Sequence, residues 1–522
     1  MPGFLLSANR ATAASTPKSN SSTRYETTIN MDNEFRTFLT TFFQHISNNK
    51  LQEIENDYNT LLTKYFKAYS TSVLISPDSV EKNTKKNKYF NLLYKEIYYR
   101  HLFTNLSEKA ERDDFEKSFN NYTELFDFFI NAEKPLNVKL PNQWLWDFIS
   151  EFVYQFQIYH SNPEIQGNYM NEHPEVWNVK TVLSYLDQII EKSRINAQLF
   201  CHATQGDPQE VAGEFGRNEL YKMLGFFSIV GMSRVYCLLG DYKSSIQSVD
   251  NINLANINLY DAVPSCLINL GHCAGFSLMM LHRYIDAIKC FSGTLSSNQK
   301  HEISDYIERE RQKIIRLLSI CLVICPKTNE QDIDEMIREK FTQSMAEMKK
   351  GNTEELMRIF NPGAIKPLPI NSKEDNYVFC KTDMKTHTFY FFNLEIKKHY
   401  ELLLLRSYLN LYRNIKISKI AEALNMPESK IVSNLVCLKK MFNMNSSSEY
   451  SNEFIVDIDF FIDNETVYVS NTKVDRKFFD YFIKSLKRFE MTNQNFDRAE
   501  KYLYEYSPAL GNNSDNIDYY RQ

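Results

Sequence analysis

One segment constrains the fold more than any other: Gln143-Trp-Leu-Trp-Asp-Phe-Ile-Ser-Glu-Phe-Val-Tyr-Gln-Phe-Gln-Ile-Tyr159. Asp147, Glu151 and Gln155 recur every four residues, so a helix here carries one narrow polar stripe and is apolar over most of its remaining surface. Such a helix gains its hydrophobic free energy only when other helices surround it. Two carboxylates near its middle argue against a membrane span. Composition points the same way: 32 Tyr and 37 Phe stand beside only 14 Gly in 522 residues, which favours aromatic-packed helices over turn-rich sheets.

Helical spacing recurs on both sides of that segment. Phe35, Phe38, Leu39, Phe42, Phe43 and Ile46 follow Asp32, a candidate N-cap. Apolar stripes run through Leu51–Tyr69, Tyr89–Leu106 and Phe115–Ile130, with Lys82–Lys88 as a polar hinge and Pro135 and Pro141 as terminators. Leu239-Gly-Asp-Tyr-Lys-Ser-Ser-Ile246 is echoed by Leu281-His-Arg-Tyr-Ile-Asp-Ala-Ile288, 42 residues on, and a long apolar run precedes each. Helix, short turn, Tyr and second helix is the frame of stacked helical hairpins, and the offset exceeds the ~34 residues of a regular tetratricopeptide unit. The spacing predicts an irregular solenoid, continued by Ile314–Ile324, Asp334–Met348 and Thr353–Phe360 and broken at the proline-rich Asn361–Pro369.

The grammar changes in the C-terminal third. Glu401–Arg413, Ser418–Leu424 and Pro427–Phe442 read as three helices with Asn425-Met426 as a turn. Phe454, Val456, Ile458, Phe460 and Ile462 then alternate with Asp457, Asp459, Phe461 and Asp463, and Asn464-Glu465 leads into Thr466–Ser470, a two-stranded hairpin. Three helices and a hairpin spell a winged helix, and Arg476–Met491 adds an amphipathic helix. The expected class is mostly α: a helical-repeat, tetratricopeptide-like solenoid, then a winged-helix module with a small β-hairpin and a C-terminal helix. The expected divisions are a disordered tail 1–30, an N-terminal helical region 31–140, a helical-repeat domain 141–370, a linker 371–399, a winged helix 400–472, a C-terminal helix 473–495 and a partly disordered tail 496–522. The N-terminus lacks a usable apolar stretch for a signal peptide, and no apolar run reaches the ~18–20 residues of a spanning helix.

Chemistry is sparsely marked. With 60 Lys and Arg against 65 Asp and Glu, the formal charge of −5 provides no global attraction to phosphate backbones. Lys430, Lys439 and Lys440 on the second turn-linked helix are the candidate weak RNA contacts, but no Arg lies between Arg413 and Arg476, and the hairpin's Asp457, Asp459, Asp463 and Glu465 repel phosphate. Asp457 and Asp459 share a strand face and are read as solvated, not as a metal or acid/base pair. Gly213-Glu-Phe-Gly216 lacks the Lys-Ser/Thr of a phosphate-gripping loop and reads as a turn. Cys201-His202 and His272-Cys273 read as core packing, because neighbouring residues rarely share one metal and no Cys-x-x-Cys pair exists. Nine scattered Cys, as in Cys321-Leu-Val-Ile-Cys325, suit a reducing compartment. No catalytic motif, cofactor site or metal site is expected. Phe478, Phe479, Tyr481, Phe482, Ile483, Leu486 and Phe489 exceed one helix face, which makes Phe478, Phe479, Phe482, Leu486 and Phe489 candidates for a subunit interface.

Three segments resemble the translation initiation factor 3 subunit L family in order and spacing: Gln143–Gln157, Gly206-Asp-Pro-Gln-Glu-Val-Ala-Gly-Glu-Phe-Gly-Arg217 through Leu220–Gly225 to Leu239–Tyr242, and Phe460-Phe-Ile-Asp463 with Thr472-Lys-Val474. The resemblance covers roughly 32–491; the Ser/Thr-rich opening, Ser296–Glu308 and Asn371–Lys385 depart from it. It implies the PCI architecture of helical repeats capped by a winged helix. It also implies a non-catalytic scaffold in a cytoplasmic complex on the small ribosomal subunit, with the K and E subunits as neighbours, no membrane and at most weak or indirect RNA contact. Two rival readings are a PCI subunit of the proteasome lid or signalosome, and a nucleic-acid-binding winged-helix regulator.

Overall fold

The computed structural model describes residues 21–70, 74–83, 88–106, 110–162, 173, 175–204, 206–252, 263–297, 305–324, 331–368, 384–445, 459–470 and 473–506. The chain forms two compact units, one up to Asn393 and one from Leu394 onward.

The first unit is a stack of helices, each packed on its near neighbours in sequence: α1 (Ser21–Ser47), α2 (Leu51–Thr60), α3 (Lys88–Asn105), α4 (Arg112–Ile130), α5 (Asn142–Ser161), α6 (Val179–Ser193), α7 (Ile195–Ala203), α8 (Glu219–Leu239), α9 (Tyr242–Ser248), α10 (Pro264–Met280), α11 (Tyr284–Ser297), α12 (Asp305–Ile324), α13 (Gln331–Lys349) and α14 (Thr353–Gly363). Phe35, Leu39, Phe42 and Ile46 of α1 are buried, as their spacing predicts. The helix begins at Ser21, however, so Asp32 lies inside it. Ser and Thr cost a helix only a few tenths of a kcal/mol each, and no Gly or Pro interrupts Ser21–Asp32. α2 runs through a single π-helical turn, Leu61–Tyr65, into a last helical turn at Phe66–Ala68.

The internal echo is structural. Gly240 (φ 78°) and His282 (φ 62°) both end a long helix in the left-handed conformation. In both, the following N–H reaches back five residues, Asp241 N to Tyr236 O at 3.0 Å and Arg283 N to Leu278 O at 2.9 Å, which closes the same C-terminal cap. Tyr242 and Tyr284 then open α9 and α11. α10 and α11 approach closely because α10 offers glycines to the contact: a Cβ on Gly275 would sit 2.2 Å from Phe291 Cε1, and one on Gly271 would sit 2.1 Å from Thr294 Oγ1. By length and composition α8 is apolar enough to cross a bilayer, but most of it is buried against α5, α6, α9 and α10. Beyond α14 the proline-rich stretch runs back along the stack, with Leu368 N donating to Leu238 O at 2.8 Å.

The polar stripe of α5 is buried as completely as its apolar sides. It meets Arg100 of α3, which holds both Glu96 oxygens (Nη2 to Oε1 2.5 Å and to Oε2 2.6 Å), donates to Tyr58 Oη and lies 3.6 Å from Asp147 Oδ2. Tyr58 donates to Asp147 Oδ2 (2.6 Å), Gln143 to Asp147 Oδ1 (2.8 Å) and Trp144 Nε1 to Glu96 Oε2 (3.3 Å). Further along, Gln155 bridges Ser118 of α4 and Glu151. Burial pushes the Glu151 carboxyl up to about 8, with Arg100 and the Gln155 bond opposing it, and burial likewise raises Asp147 to about 6 against the pull of Arg100.

The second unit is the winged helix. α15 (Met384–Leu411), which begins in the first unit, is followed by β1 (Asn414–Lys416), α16 (Ile417–Leu424), α17 (Glu428–Asn445), β2 (Asp459–Asp463), β3 (Thr466–Ser470) and α18 (Lys473–Tyr506). β3 is central, with both neighbours antiparallel: Ile415 opposes Val467 on one side and Phe460 opposes Val469 on the other. Asn464 (φ 42°) and Glu465 (φ 62°) form the two-residue turn, both left-handed, as the twist of a tight hairpin requires. Leu405, Leu409, Ile420, Ile431, Leu435, Leu438, Phe460 and Val467 make the core. Three features differ from the sequence reading. The expected linker 371–399 is helical from Met384, because Phe389, Phe392 and Ile396 fall at helical spacing and are buried, with Phe392 stacked on Phe360 at 4.6 Å. The third strand, β1, is an addition. The C-terminal helix reaches Tyr506 instead of 495, taking in part of the expected tail.

Two outcomes follow. Gly275→Ala forces Phe291 aside and lowers stability by about 1–3 kcal/mol, measurable as a fall in the thermal midpoint. The raised Glu151 carboxyl favours the fold fully below the unfolded carboxyl range near 4.5, and that stability is lost as pH rises through about 8. Glu151→Gln keeps an acceptor for Gln155 without the charge, so its urea midpoint relative to wild type climbs between pH 6 and pH 8.5; a constant difference would contradict the buried neutral acid.

Candidate interaction surface

α18 is long, about 50 Å at 1.5 Å per residue. No Gly or Pro occurs in it, and Lys, Arg, Glu and Asp alternate along it, so its helicity is local in origin. Four of its apolar side chains stand in water. Phe482, Leu486, Phe489 and Phe496 are 63%, 63%, 72% and 68% exposed. They lie at i, i+4, i+7 and i+14, which on a helix is one continuous strip. Burying such side chains yields ~1.5–3 kcal/mol apiece, so this helix withholds roughly 6–12 kcal/mol of hydrophobic free energy from the isolated chain. Of the five residues singled out in the sequence, Phe482, Leu486 and Phe489 stand on this strip, while Phe478 and Phe479 fall in α18 with side chains outside the described residues. Tyr481 is exposed but lies off the strip. Phe496 was missed because the helix was expected to end at 495; its seven-residue spacing from Phe489 was the available signal.

Two lysines of α17 bond within the chain. Lys430 pairs with Glu401 at 2.7 Å, and Asn434 donates to the same carboxylate at 3.3 Å. Lys439 donates to Phe460 O at 2.6 Å and lies 5.4 Å from the centroid of its ring. The Lys440 side chain is outside the described residues. The exposed face of α17 mixes Val432, Val436 and Cys437 with Ser429, Lys430, Ser433 and Lys439, so it is not a continuous basic surface. Val432 and Val436 stay outside because Ile431, Leu435 and Leu438 already fill the winged-helix core.

The other candidates resolve into structure. Gly213–Gly216 is a short helical turn in which Gly216 nearly touches Ser193 O, and Phe215 takes the Lys192 ammonium at 4.1 Å from its ring centroid. Cys201 Sγ donates to Asp207 O at 3.4 Å. His272 is polar as well as packed: Nδ1 lies 3.2 Å from Glu310 Oε2 and Nε2 lies 2.8 Å from Gly363 O, joining α10, α12 and α14. Burial raises the Glu310 carboxyl, but the His272 bond and the charges of His272 and Lys313 outweigh it and hold the group down to about 2. Asp457 lies outside the described residues, Asp459 pairs Ser470 at the start of β2, and no cluster of three metal-ligating side chains occurs among the described residues.

Fold and surface together define a class: a helical solenoid ending in a winged helix, with an apolar helix face left in water. Comparison with known proteins narrows it. A family model described as RNA polymerase I-associated factor PAF67 matches residues 114–489. Relatives named eukaryotic translation initiation factor 3 subunit L are 33% identical in Nematostella vectensis over 491 residues, covering 89% of this chain and 93% of the relative. They are 34% identical in Xenopus laevis over 436 residues (79% and 77%) and 34% in Homo sapiens over 433 residues (78% and 77%). The chain belongs to the eukaryotic translation initiation factor 3 subunit L family.

Because most of each strip side chain is already in water, Phe482→Ser, Leu486→Ser and Phe489→Ser together leave the thermal midpoint within a degree or two of wild type and lower the fluorescence of bound anilinonaphthalene sulfonate. A large loss of stability would place these side chains in the core.

Proposed function

We propose that the chain is a scaffold subunit of translation initiation factor 3, without catalytic activity of its own, acting in the cytoplasm. Its stacked helices form a stiff arm, and its winged helix and α18 dock on sister subunits, the K and E subunits among them, to support assembly on the small ribosomal subunit and initiation on mRNA. The element order fits the PCI architecture, with the helical-repeat domain, winged helix and C-terminal helix as successive modules. The observation that carries the reading is the exposed apolar strip of α18 in a chain whose relatives, matched over most of its length, are named as subunits of one complex. An apolar face of this size in water is the mark of an unfilled interface. RNA contact, if made through Lys430 and Lys439, would first have to break their internal bonds, which weighs against a nucleic-acid regulator.

The test is sedimentation of cell extract carrying the affinity-tagged full chain, with mass spectrometry of what travels with it. Wild type is expected with small ribosomal subunits and other initiation factor 3 subunits. Phe482→Asp, Leu486→Asp and Phe489→Asp together, or removal of Arg476–Gln522, should release a folded chain to the top of the gradient. A released triple variant that has lost helicity, or a triple variant that stays in the complex, would remove α18 from the interface. Wild type found instead with RNA polymerase I, the proteasome lid or the signalosome would move the chain to another assembly.

A further inference from the structure

The charges of α18 alternate along its sequence but separate around its circumference. Between Tyr481 and Ala499 the acids are Glu490 and Asp497, and at about 100° per residue both stand on one flank of the apolar strip, within about a quarter turn of its centre. The cations Lys484, Lys487, Arg488 and Arg498 fall at i, i+3, i+4 and i+14, which is a single face about half a turn from the strip. Lys484, Arg488 and Arg498 are exposed and Lys487 is half-exposed. Met491 and the amides of Gln494 and Asn495 fill the intervals, and no carboxylate between Tyr481 and Ala499 shares this face. A merely solvated helix interleaves acids and bases at i, i+4 so that they pair. Here like charges are gathered along about 21 Å of one face, an arrangement that a polyanion relieves. Tyr481 adds an aromatic ring at the rim, three residues before Lys484 and seven before Arg488, and it is 66% exposed.

We infer that this basic face of α18 binds single-stranded RNA: the cations hold successive phosphates, and Tyr481 takes an unpaired base on its ring. The inference goes beyond the assembly reading and rests on it for the choice of RNA over other single-stranded nucleic acid. The two faces of the helix then serve two partners at once, because the cations point away from the strip. The formal charge of the whole chain is −5, so the attraction is local and falls steeply with salt. An anionic lipid surface is the poorer occupant. A helix lying in a bilayer buries its apolar strip and sets its flanks at the level of the headgroups. In α18 one flank carries Glu490 and Asp497, which anionic headgroups repel. The other carries Ser485 and Thr492, whose hydroxyls already donate to the carbonyls of Tyr481 (2.9 Å) and Arg488 (2.7 Å). The cations would face water, away from the lipid.

The test is fluorescence anisotropy of the full chain with a labelled 20-nucleotide single-stranded RNA of mixed sequence. Binding at 50 mM salt should weaken about 50-fold by 200 mM, the slope expected for four phosphate contacts. Lys484→Gln, Lys487→Gln, Arg488→Gln and Arg498→Gln together should weaken it about ten-fold or more at 50 mM and flatten the salt dependence. Lys484→Arg, Lys487→Arg, Arg488→Lys and Arg498→Lys together should keep it, which separates charge from fold. Tyr481→Leu should cost about five-fold or more on the single strand and leave a duplex of the same length unchanged. Lys430→Gln on α17 should change neither. No binding at 50 mM salt, an equal loss in Lys430→Gln, failure of the charge-keeping variant to bind, or a duplex held as tightly as the single strand would each overturn the inference. So would a chain that floats with vesicles of phosphatidylserine and phosphatidylcholine but leaves RNA free. The glutamine variant should still sediment with initiation factor subunits; its release would assign the cations to a protein partner and overturn the inference as well. The assembly reading fails separately, only if the wild-type chain does not sediment with those subunits.

Discussion

The first unit depends on how a single cation is neutralised in its interior. Arg100 is buried, and so are the carboxylates of Glu96, Asp147 and Glu151 around it, which puts three acids against one base in a medium of low dielectric. The arrangement is tolerable because the charges are not all expressed. Glu96 takes the guanidinium in bidentate fashion, Asp147 is satisfied by Tyr58 and Gln143, and Glu151 holds its proton. The network reaches from α2 through α3 and α4 to α5, so four helices can pack only in the one relative rotation that closes every bond. Apolar contacts alone would permit several rotations of similar energy; a half-satisfied polar core permits none of them.

Glycines and aromatic rings do the complementary work farther along the stack. Where α10 meets α11 the chain removes side chains to let backbones approach, and where α1, α2 and α5 meet it fills the space with rings, as in the stacking of Phe42 and Tyr58 on Trp144. His272 then clips α14 to α10 and α12 through one carbonyl and one carboxylate. The stack is thus held by different means at different places, which is why its repeat is visible in two hairpins and not throughout.

Much of this was legible in the residues. The greasiness of Gln143–Tyr159 demanded surrounding helices, the Leu-x-x-Tyr echo marked both hairpins, and Asn464-Glu465 marked the wing turn. What the residues could not display was pairing across distance. Asp147, Glu151 and Gln155 look like a solvated stripe until Arg100, some fifty residues earlier, is brought beside them. Lys430 and Lys439 look available until Glu401 and the Phe460 carbonyl are placed. Boundaries slipped for a more local reason. Polar or mixed composition was taken for loop at Ser21–Met31, Met384–His399 and Phe496–Tyr506, although none of these stretches contains a helix breaker. β1 was missed because three residues paired to a single neighbour carry no periodic signal of their own.

The π-helical turn at Leu61–Tyr65 carries a consequence for the length of the chain. A π turn holds one residue more than the α turn it replaces, and that residue offsets the helix faces before and after it by about 100°. Before it, Tyr58 points at Asp147; at its end Tyr65 packs on Phe35, and after it Phe66 packs on His101. Losing one residue anywhere in this turn would give a smoother helix and a worse protein, because one of those two faces would rotate away from its partners. The segment therefore admits no change in the number of residues, a restriction on insertion and deletion that no single side chain announces.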